Sequence, residues 1–361
     1  MSMSNHTIDK RLETFFLKSV SKGAHNVKFS FLQIGLFILS CIRSLESFEE
    51  GANALSPQTL RDRLDLNGDW LDLFQDTMLT MAKKMVKQFP SYRWTISIDE
   101  KFVPFFGDRE KLNGEFINNG MKKYVHGYKA KKAGATGSFG ILVISLNCKC
   151  VRIPIFLKLI AVGDTHKSWV KEHFAKLIEF VPNPIILADR GFGLKCWYHQ
   201  VLQELGVKSV TRMAIKSNKV RGKLERGLDE FQYSFGEGSE NKVLLRLRCV
   251  RVDDQIFLYS VTGVKQKGMP LHTLYLERWR IENTFKDGDR IRLPTSSRNP
   301  LMRLYTLTLD LFLFALWQEK LLKKQRVSIR SFLKGIINQI CELFDVILTH
   351  DGQLLKKPPP S

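Results

Sequence analysis

The stretch whose reading decides the fold is LHTLYLERWRIENTFKDGDR, residues 271–290. It has no helix breaker before Gly288, so it is expected to form a single helix of about eighteen residues. At about 100° per residue, Leu271, Leu274, Ile281 and Phe285 line up as an apolar stripe, and Tyr275, Arg278 and Glu282 run along its edge. Glu277, Arg280, Asn283 and Asp287 take the far side, where solvent-facing groups belong. Taken alone, Arg278 and Glu282 are an ordinary pair one turn apart, contributing roughly a few tenths of a kcal/mol. A phenol, a base and an acid beside a buried seam gain little structurally, and acids elsewhere in the chain turn them into a candidate site.

Those acids lie upstream. WTISID, residues 94–99, alternates as a strand should and ends on Asp99. Residues 140–146 and 151–160 are longer apolar strands joined by a tight turn, hence a hairpin. Residues 167–180 form an amphipathic helix. IILAD, residues 185–189, is a short unbroken apolar run, as in a strand buried on both faces, and it ends on Asp189 within ADRGFG. A helix at 194–205 and a strand at 209–215 complete an order that suits a mixed sheet flanked by helices.

The remainder divides around this core. Residues 1–90 carry helical apolar periodicity, and SPQTLRDRLDL from Ser56 has an N-cap serine followed by proline. That short basic helix after a small-residue loop makes the region a candidate for binding DNA ends, with a helical packing or dimerisation module as the alternative. Residues 91–320 are expected to form the catalytic domain. Within it, residues 216–268 read as a β-rich insertion: a loop carrying Lys216, Lys219, Arg221, Lys223 and Arg226, then strands at 242–252 and 255–264. After Gly288 come a basic segment with Arg290, Arg292, Arg298 and Arg303, apolar helices at 301–322 and 328–348, and a tail, KKPPPS, expected to be disordered. There are no internal repeats.

Composition narrows the function classes. The 361-residue chain has 44% apolar residues and a formal net charge of +20. Such an excess of cations attracts nucleic acid. The longest apolar runs, residues 31–42 and 304–317, are too short to span a bilayer, and the second contains Asp310. No signal-peptide pattern opens the chain, and six scattered cysteines suit reduced thiols, so a cytoplasmic protein is expected. Cys148 and Cys150 lack a second ligand pair for zinc. There is no phosphate-binding loop for an ATP-driven motor, and no Gly-rich dinucleotide fingerprint.

Asp99 and Asp189 end strands expected to be neighbours, and Glu282 lies on the helix expected over them. Each aspartate alone reads as a strand-end or turn cap. Three converging carboxylates, however, need cations, and magnesium, with manganese as its substitute, suits an all-oxygen donor set. Two such ions about 4 Å apart would serve phosphodiester chemistry. Trp279 is a candidate for stacking on a base, with packing as the plainer reading. His126 and Lys129 lie in a basic loop that is either a DNA contact or simply solvated.

On three stretches, ISID ending at Asp99, LADRGF around Asp189 and YLERWRIE from Tyr275 to Glu282, the chain resembles DDE transposases of the insertion sequence 4 group. The last matches that group's Tyr-x2-Arg-x3-Glu signature. The β-rich insertion and the apolar helix after the signature match as well. The resemblance covers about residues 90–320 and implies an α/β, ribonuclease-H-like mixed sheet flanked by helices, with an all-helical N-terminal region added. It implies metal-dependent cutting and joining of an element's double-stranded DNA ends, usually through a hairpin intermediate, by a homodimer on DNA and away from membranes. It makes Asp99, Asp189 and Glu282 the metal-binding catalytic triad, and Tyr275 and Arg278 contacts to phosphates near the terminal nucleotide. The signature's closing lysine, seven residues after the glutamate, is Asp289 here; Lys286 and Arg290 are the candidate replacements. A nuclease that cuts without joining, and a catalytically decayed DNA-binding protein, stay open as alternatives.

Overall fold

A computed structural model describes residues 70–107, 122–127, 133–148, 151–236, 242–288, 300–322, 331–336, 346–348 and 354–356, with isolated positions 11, 14, 328 and 329. The chain divides into two compact units, one built from Thr80–Lys101 with Leu142–Thr284, the other from the described residues on either side of those segments. The possible DNA-end helix at 56–66 lies outside the described residues.

Helix α1 (Trp70–Gln88) is held by Trp70, Phe74, Met78, Met81, Ala82 and Met85, all buried and at helical spacing. Strand β1 (Thr95–Phe105) begins as expected, but it does not end on Asp99 and runs on for six residues beyond it. The reason lies in KFVPF: Val103 and Phe105 are buried in alternation with more exposed neighbours, so the strand period continues. Strand β2 (Val125–His126) pairs with the start of β3 (Gly137–Cys148), and β4 (Val151–Ile160) lies against β3 as the expected hairpin. Every residue of β3 is buried, which is why its sequence is nearly unbroken in apolar and small residues.

Helix α2 (Lys167–Ile178) leads to β5 (Ile185–Ala188), all four of whose residues are buried. Strand β5 pairs in parallel with β1, Ile98 opposite Ala188, and in parallel with β6 (Lys208–Met213). Between them come the short α3 (Arg190–Gly193) and α4 (Cys196–Glu204). The expected basic loop after β6 contains a helix, α5 (Asn218–Glu225). Val220 and Leu224, one turn apart, are buried in its core cluster while Lys219 and Arg221 face outward, so the apolar pair overrides the run of positive charge. Strands β7 (Glu230–Phe235), β8 (Val243–Val252) and β9 (Gln255–Thr262) follow. Strand β9 pairs antiparallel with β6, so the β-rich segment extends the same nine-stranded mixed sheet, in the order β2-β3-β1-β5-β6-β9-β8-β7 with β4 against β3, instead of standing apart from it.

The deciding stretch forms two helices, α6 (Gly268–Leu276) and α7 (Trp279–Gly288), not one. At the junction the bonds shorten to i→i−3: Glu277 N–H donates to Leu274 O (3.2 Å), Arg278 N–H to Tyr275 O (2.9 Å) and Ile281 N–H to Arg278 O (3.1 Å). Nothing in the local sequence breaks the helix. Acids drawing Arg278 inward on one side and an ion pair between Glu277 and Arg93 on the other supply the cause.

In the second unit, helix α8 (Pro300–Leu322) is buried almost all round. Tyr305 and Phe312 meet Trp70 and Phe74 edge-on, at 5.2 and 6.0 Å between ring centres. A helix apolar on every face is a core helix, and no helix of the described residues is long and apolar enough to cross a membrane. The helix expected over 328–348 stops short: Val346–Leu348 is a strand, β10, paired antiparallel with β11 (Leu354–Lys356). β-branched Val346 and Ile347 favour that pairing.

Candidate active site

Asp99 and Asp189 arrive on adjacent parallel strands, Asp99 one residue after Ile98 and Asp189 one residue after Ala188, its partner across the pair. Asp189 caps α3, its Oδ1 accepting Phe192 N–H at 3.1 Å while its carbonyl accepts Gly193 N–H at 3.2 Å. Gly193 is required here, because a Cβ at that position would sit 2.2 Å from the carbonyl oxygen of Arg212 on β6. The tight α3 turn against the sheet therefore fixes where Asp189 points. The Oδ1 of Asp99 accepts Glu100 N–H at 2.9 Å.

The break between α6 and α7 delivers the third element. Arg278, only 6% exposed, donates from Nη2 to Glu282 Oε1 (2.6 Å) and from Nε to the Tyr275 hydroxyl (3.2 Å), with Nη1 3.7 Å from Asp99 Oδ2. Tyr275, 3% exposed, is packed in the core with Leu187, Val210, Val261, Leu271 and Leu274, its ring 4.9 Å from that of Tyr259. The Tyr259 hydroxyl in turn meets His272 Nδ1 at 2.7 Å. The guanidinium is thus clamped between a buried phenol and two acids.

Burial pushes the Asp99 carboxyl up to about 7, helped by the negative charge of Asp189 and to a smaller degree of Glu282, against the pull of Arg278 and the Glu100 backbone bond. Crowded acids that resist ionising together call for a cation. The donors are all carboxylate oxygens, the chemistry that suits a hard divalent ion. Among the described residues, no three His, Cys, Asp or Glu side chains lie close enough to hold a metal. In this arrangement the Arg278 guanidinium meets part of that need, bridging Asp99 and Glu282. The donor chemistry suits the ion, but in this arrangement Glu282 is tied to Arg278 and the three carboxylates are not gathered into one site.

The transposase DDE domain family matches residues 91–299, more than half of the chain. The chain belongs to that family. No curated protein sequence matches. Among solved structures, the chain is similar to one described as the cryo-EM structure of the piggyBac transposase synaptic complex with hairpin DNA, with a TM-score of 0.53 at 11% identity over 93% of this chain and 76% of that one. At that identity the likeness concerns the fold, which is the ribonuclease-H-like mixed sheet with flanking helices.

The remaining site candidates of this DDE domain are dispersed. Lys286 is exposed on α7, while Asp289 and Arg290 lie outside the described residues. Trp279 is 54% exposed, so the packing reading for it does not hold. His126 lies buried on β2, its ring 5.9 Å from that of Phe102, not in an open loop, and Lys129 is outside the described residues. Sequence reading passed over Glu100 and Lys195, which form an ion pair between β1 and the turn after α3. The available signal was adjacency: Glu100 follows Asp99, and Lys195 follows ADRGFG by two residues.

Proposed function

We propose that the protein is a transposase that cuts and joins the DNA ends of an insertion sequence, using Asp99, Asp189 and Glu282 as the catalytic carboxylates. The observation that carries this reading is the placement of Asp99 and Asp189 on neighbouring parallel strands with the Arg278–Glu282 turn against Asp99, inside the segment that matches the family. Magnesium, or manganese in its place, would be held by the three carboxylates and would activate the attacking water or 3′-hydroxyl and stabilise the leaving oxygen.

The chain's own residues supply the rest. Asp189 is oriented by its cap to α3, so its carboxylate is presented without rotamer freedom. Arg278 balances the charge of Asp99 and Glu282 and is braced by the Tyr275 hydroxyl, which makes Tyr275 a support beneath the site as much as a phosphate contact. Exposed Lys286, with Arg290, would take the phosphates that the missing signature lysine would otherwise hold. The partner is double-stranded DNA, both element ends and target, engaged by a homodimer; the net charge of +20 suits such a polyanion. Residues 1–90 would bind the ends, and residues 91–320 would carry out the chemistry.

The test uses the DNA flanking the gene. The purified protein with magnesium should cleave a labelled end, and Asp189→Asn should bind the end without cleaving it. Joining of the cut end into a target plasmid separates a transposase from a nuclease. Binding without cleavage by the wild-type protein would leave only a DNA-binding role.

A further inference from the structure

We propose that Arg212 is a phosphate-binding residue of this same site, holding the DNA backbone next to the phosphate that is cut; the proposal rests on the transposase reading above. An arginine near a strand end is ordinarily a solvated charge whose stem covers apolar surface. The placement of Arg212 and its lack of an acidic partner argue for more.

Register puts Arg212 in the row of the two aspartates. Strands β1 and β5 pair Ile98 with Ala188, and β5 and β6 pair Ala188 with Thr211, so the next residues along are Asp99, Asp189 and Arg212. Side chains two positions apart on a strand share a face. Leu187 and Val210, two residues before Asp189 and Arg212, lie in one core cluster with Leu271, Leu274 and Tyr275 of α6. Arg212 therefore rises from the face that α6 covers, on the strand beside Asp189, and neighbouring strands lie about 4.8 Å apart. Across β9 it is opposite Tyr259, a member of the same cluster. The electrostatics agrees: burial raises the Tyr275 hydroxyl above its ordinary value, Arg278 and Arg212 pull it back, and Asp189 adds to the rise. One hydroxyl thus feels both Arg212 and Asp189.

The backbone is fixed and the guanidinium is unspent. The Arg212 carbonyl abuts Gly193 of α3, the turn that Asp189 caps. The guanidinium lies over the Phe257 ring, 4.9 Å from its centre, a platform that steadies a cation without neutralising it. Opposite charges side by side on neighbouring strands ordinarily pair. Here Asp189 Oδ1 accepts Phe192 N–H instead, and among the described residues Arg212 has no ion-pair partner. Arg278 is held by Glu282 and the Tyr275 hydroxyl, and Arg248, further along the same row, by Val264 O, Gln266 O and Glu230. Arg212 stays partly exposed, and its planar fork of donors matches the non-bridging oxygens of a phosphodiester. A DNA strand seated on the aspartates carries its next phosphate one nucleotide away, and a cation one strand over from Asp189 is placed to take it.

The experiment compares wild type with Arg212→Gln and Arg212→Lys on a labelled duplex of the gene's flanking DNA. End binding is measured over a salt series, and single-turnover cleavage is measured in magnesium. Arg212→Gln should weaken end binding about tenfold, make the log K against log salt slope shallower by about one, and slow cleavage. Arg212→Lys keeps the charge and should keep the slope, with a cleavage rate between the other two. Neutral methylphosphonates are then placed one at a time at the phosphates flanking the cut. At one position the replacement should weaken wild type and leave Arg212→Gln no weaker, because that contact is already gone. Losses that add at every position overturn the proposal. So does an Arg212→Gln variant that is less stable to urea yet keeps the wild-type slope and rate, the pattern of a purely structural arginine. Should Arg212→Gln fail to fold, Arg212→Lys decides on the modified duplexes: a methylphosphonate penalty smaller than that of wild type at one position supports the proposal, and equal penalties throughout overturn it. A wild-type protein that neither binds nor cuts its flanking DNA refutes the transposase reading and this proposal with it, a result distinct from intact cleavage with an indifferent Arg212.

Discussion

Tyr275 concentrates the residue-scale question, because a signature position expected to touch DNA is buried beneath Arg278. Removing only its hydroxyl, as Tyr275→Phe, takes away the acceptor for Arg278 Nε and keeps the ring on Tyr259; the expected loss is about 1 kcal/mol in urea unfolding. Tyr275→Ala empties a core position and should cost about 3–5 kcal/mol. Equal stability for wild type and Tyr275→Ala would mean the ring is not in the core. A second residue sets a pH window. Burial presses His199 down to about 4 from its ordinary value near 6.5, only partly offset by its bond to Gly193 O. In the unfolded chain it regains the ordinary value, so below 6.5 the unfolded state takes up the proton first. The stability from neutral His199 is whole above pH 6.5 and is lost as pH falls toward 4, by about 3 kcal/mol at about 1.4 kcal/mol per unit. The stability difference between wild type and His199→Gln, followed by denaturant unfolding from pH 7 to 4, should shift against wild type by that amount; a constant difference would contradict the burial of the ring.

At the scale of elements, α3 is four residues long, and its hold on Asp189 depends on lying flat against β6. Gly193→Ala would drive a Cβ into the Arg212 carbonyl, a backbone atom that cannot swing away. The expected cost is about 1–3 kcal/mol, together with a cleavage defect larger than any binding defect, because the displaced turn carries Asp189, the carboxylate proposed to act in catalysis. Unfolding curves and single-turnover cleavage of Gly193→Ala check both halves. The α6–α7 junction is the counterpart on the other side of the site. Helical spacing correctly paired Arg278 with Glu282, yet the break at Glu277–Arg278 was invisible, because what bends the chain is Asp99, far away in sequence. The same holds for α5, where a run of lysines and arginines hid the Val220–Leu224 pair that anchors it.

For the molecule as a whole, the excess of positive charge dictates how DNA binding should respond to solution conditions. If six or more phosphates are contacted, affinity for an end duplex should fall about 10³-fold or more between 50 and 200 mM salt. A filter-binding series checks this, and a flat response would rule out the basic residues as the docking surface. Chelating the divalent ion with EDTA should abolish cleavage and leave end binding in place, since Arg278 itself neutralises part of the acid cluster. Loss of binding and cleavage together would instead make the ion a structural component.

The amino-acid sequence by itself determined the strand-forming runs that carry Asp99 and Asp189, the i,i+4 pairing of Arg278 with Glu282, and the charge that suits DNA. These are local or summed properties, set by side-chain period and composition. Only the tertiary structure decided that β1 continues past Asp99, that the β-rich segment joins the sheet through β6 and β9, that the signature helix breaks, and that Tyr275 lies under Arg278 while Lys195 stands beside Glu100. Each of these depends on burial and on charges brought together from distant positions, and such energies do not exist until the chain has folded.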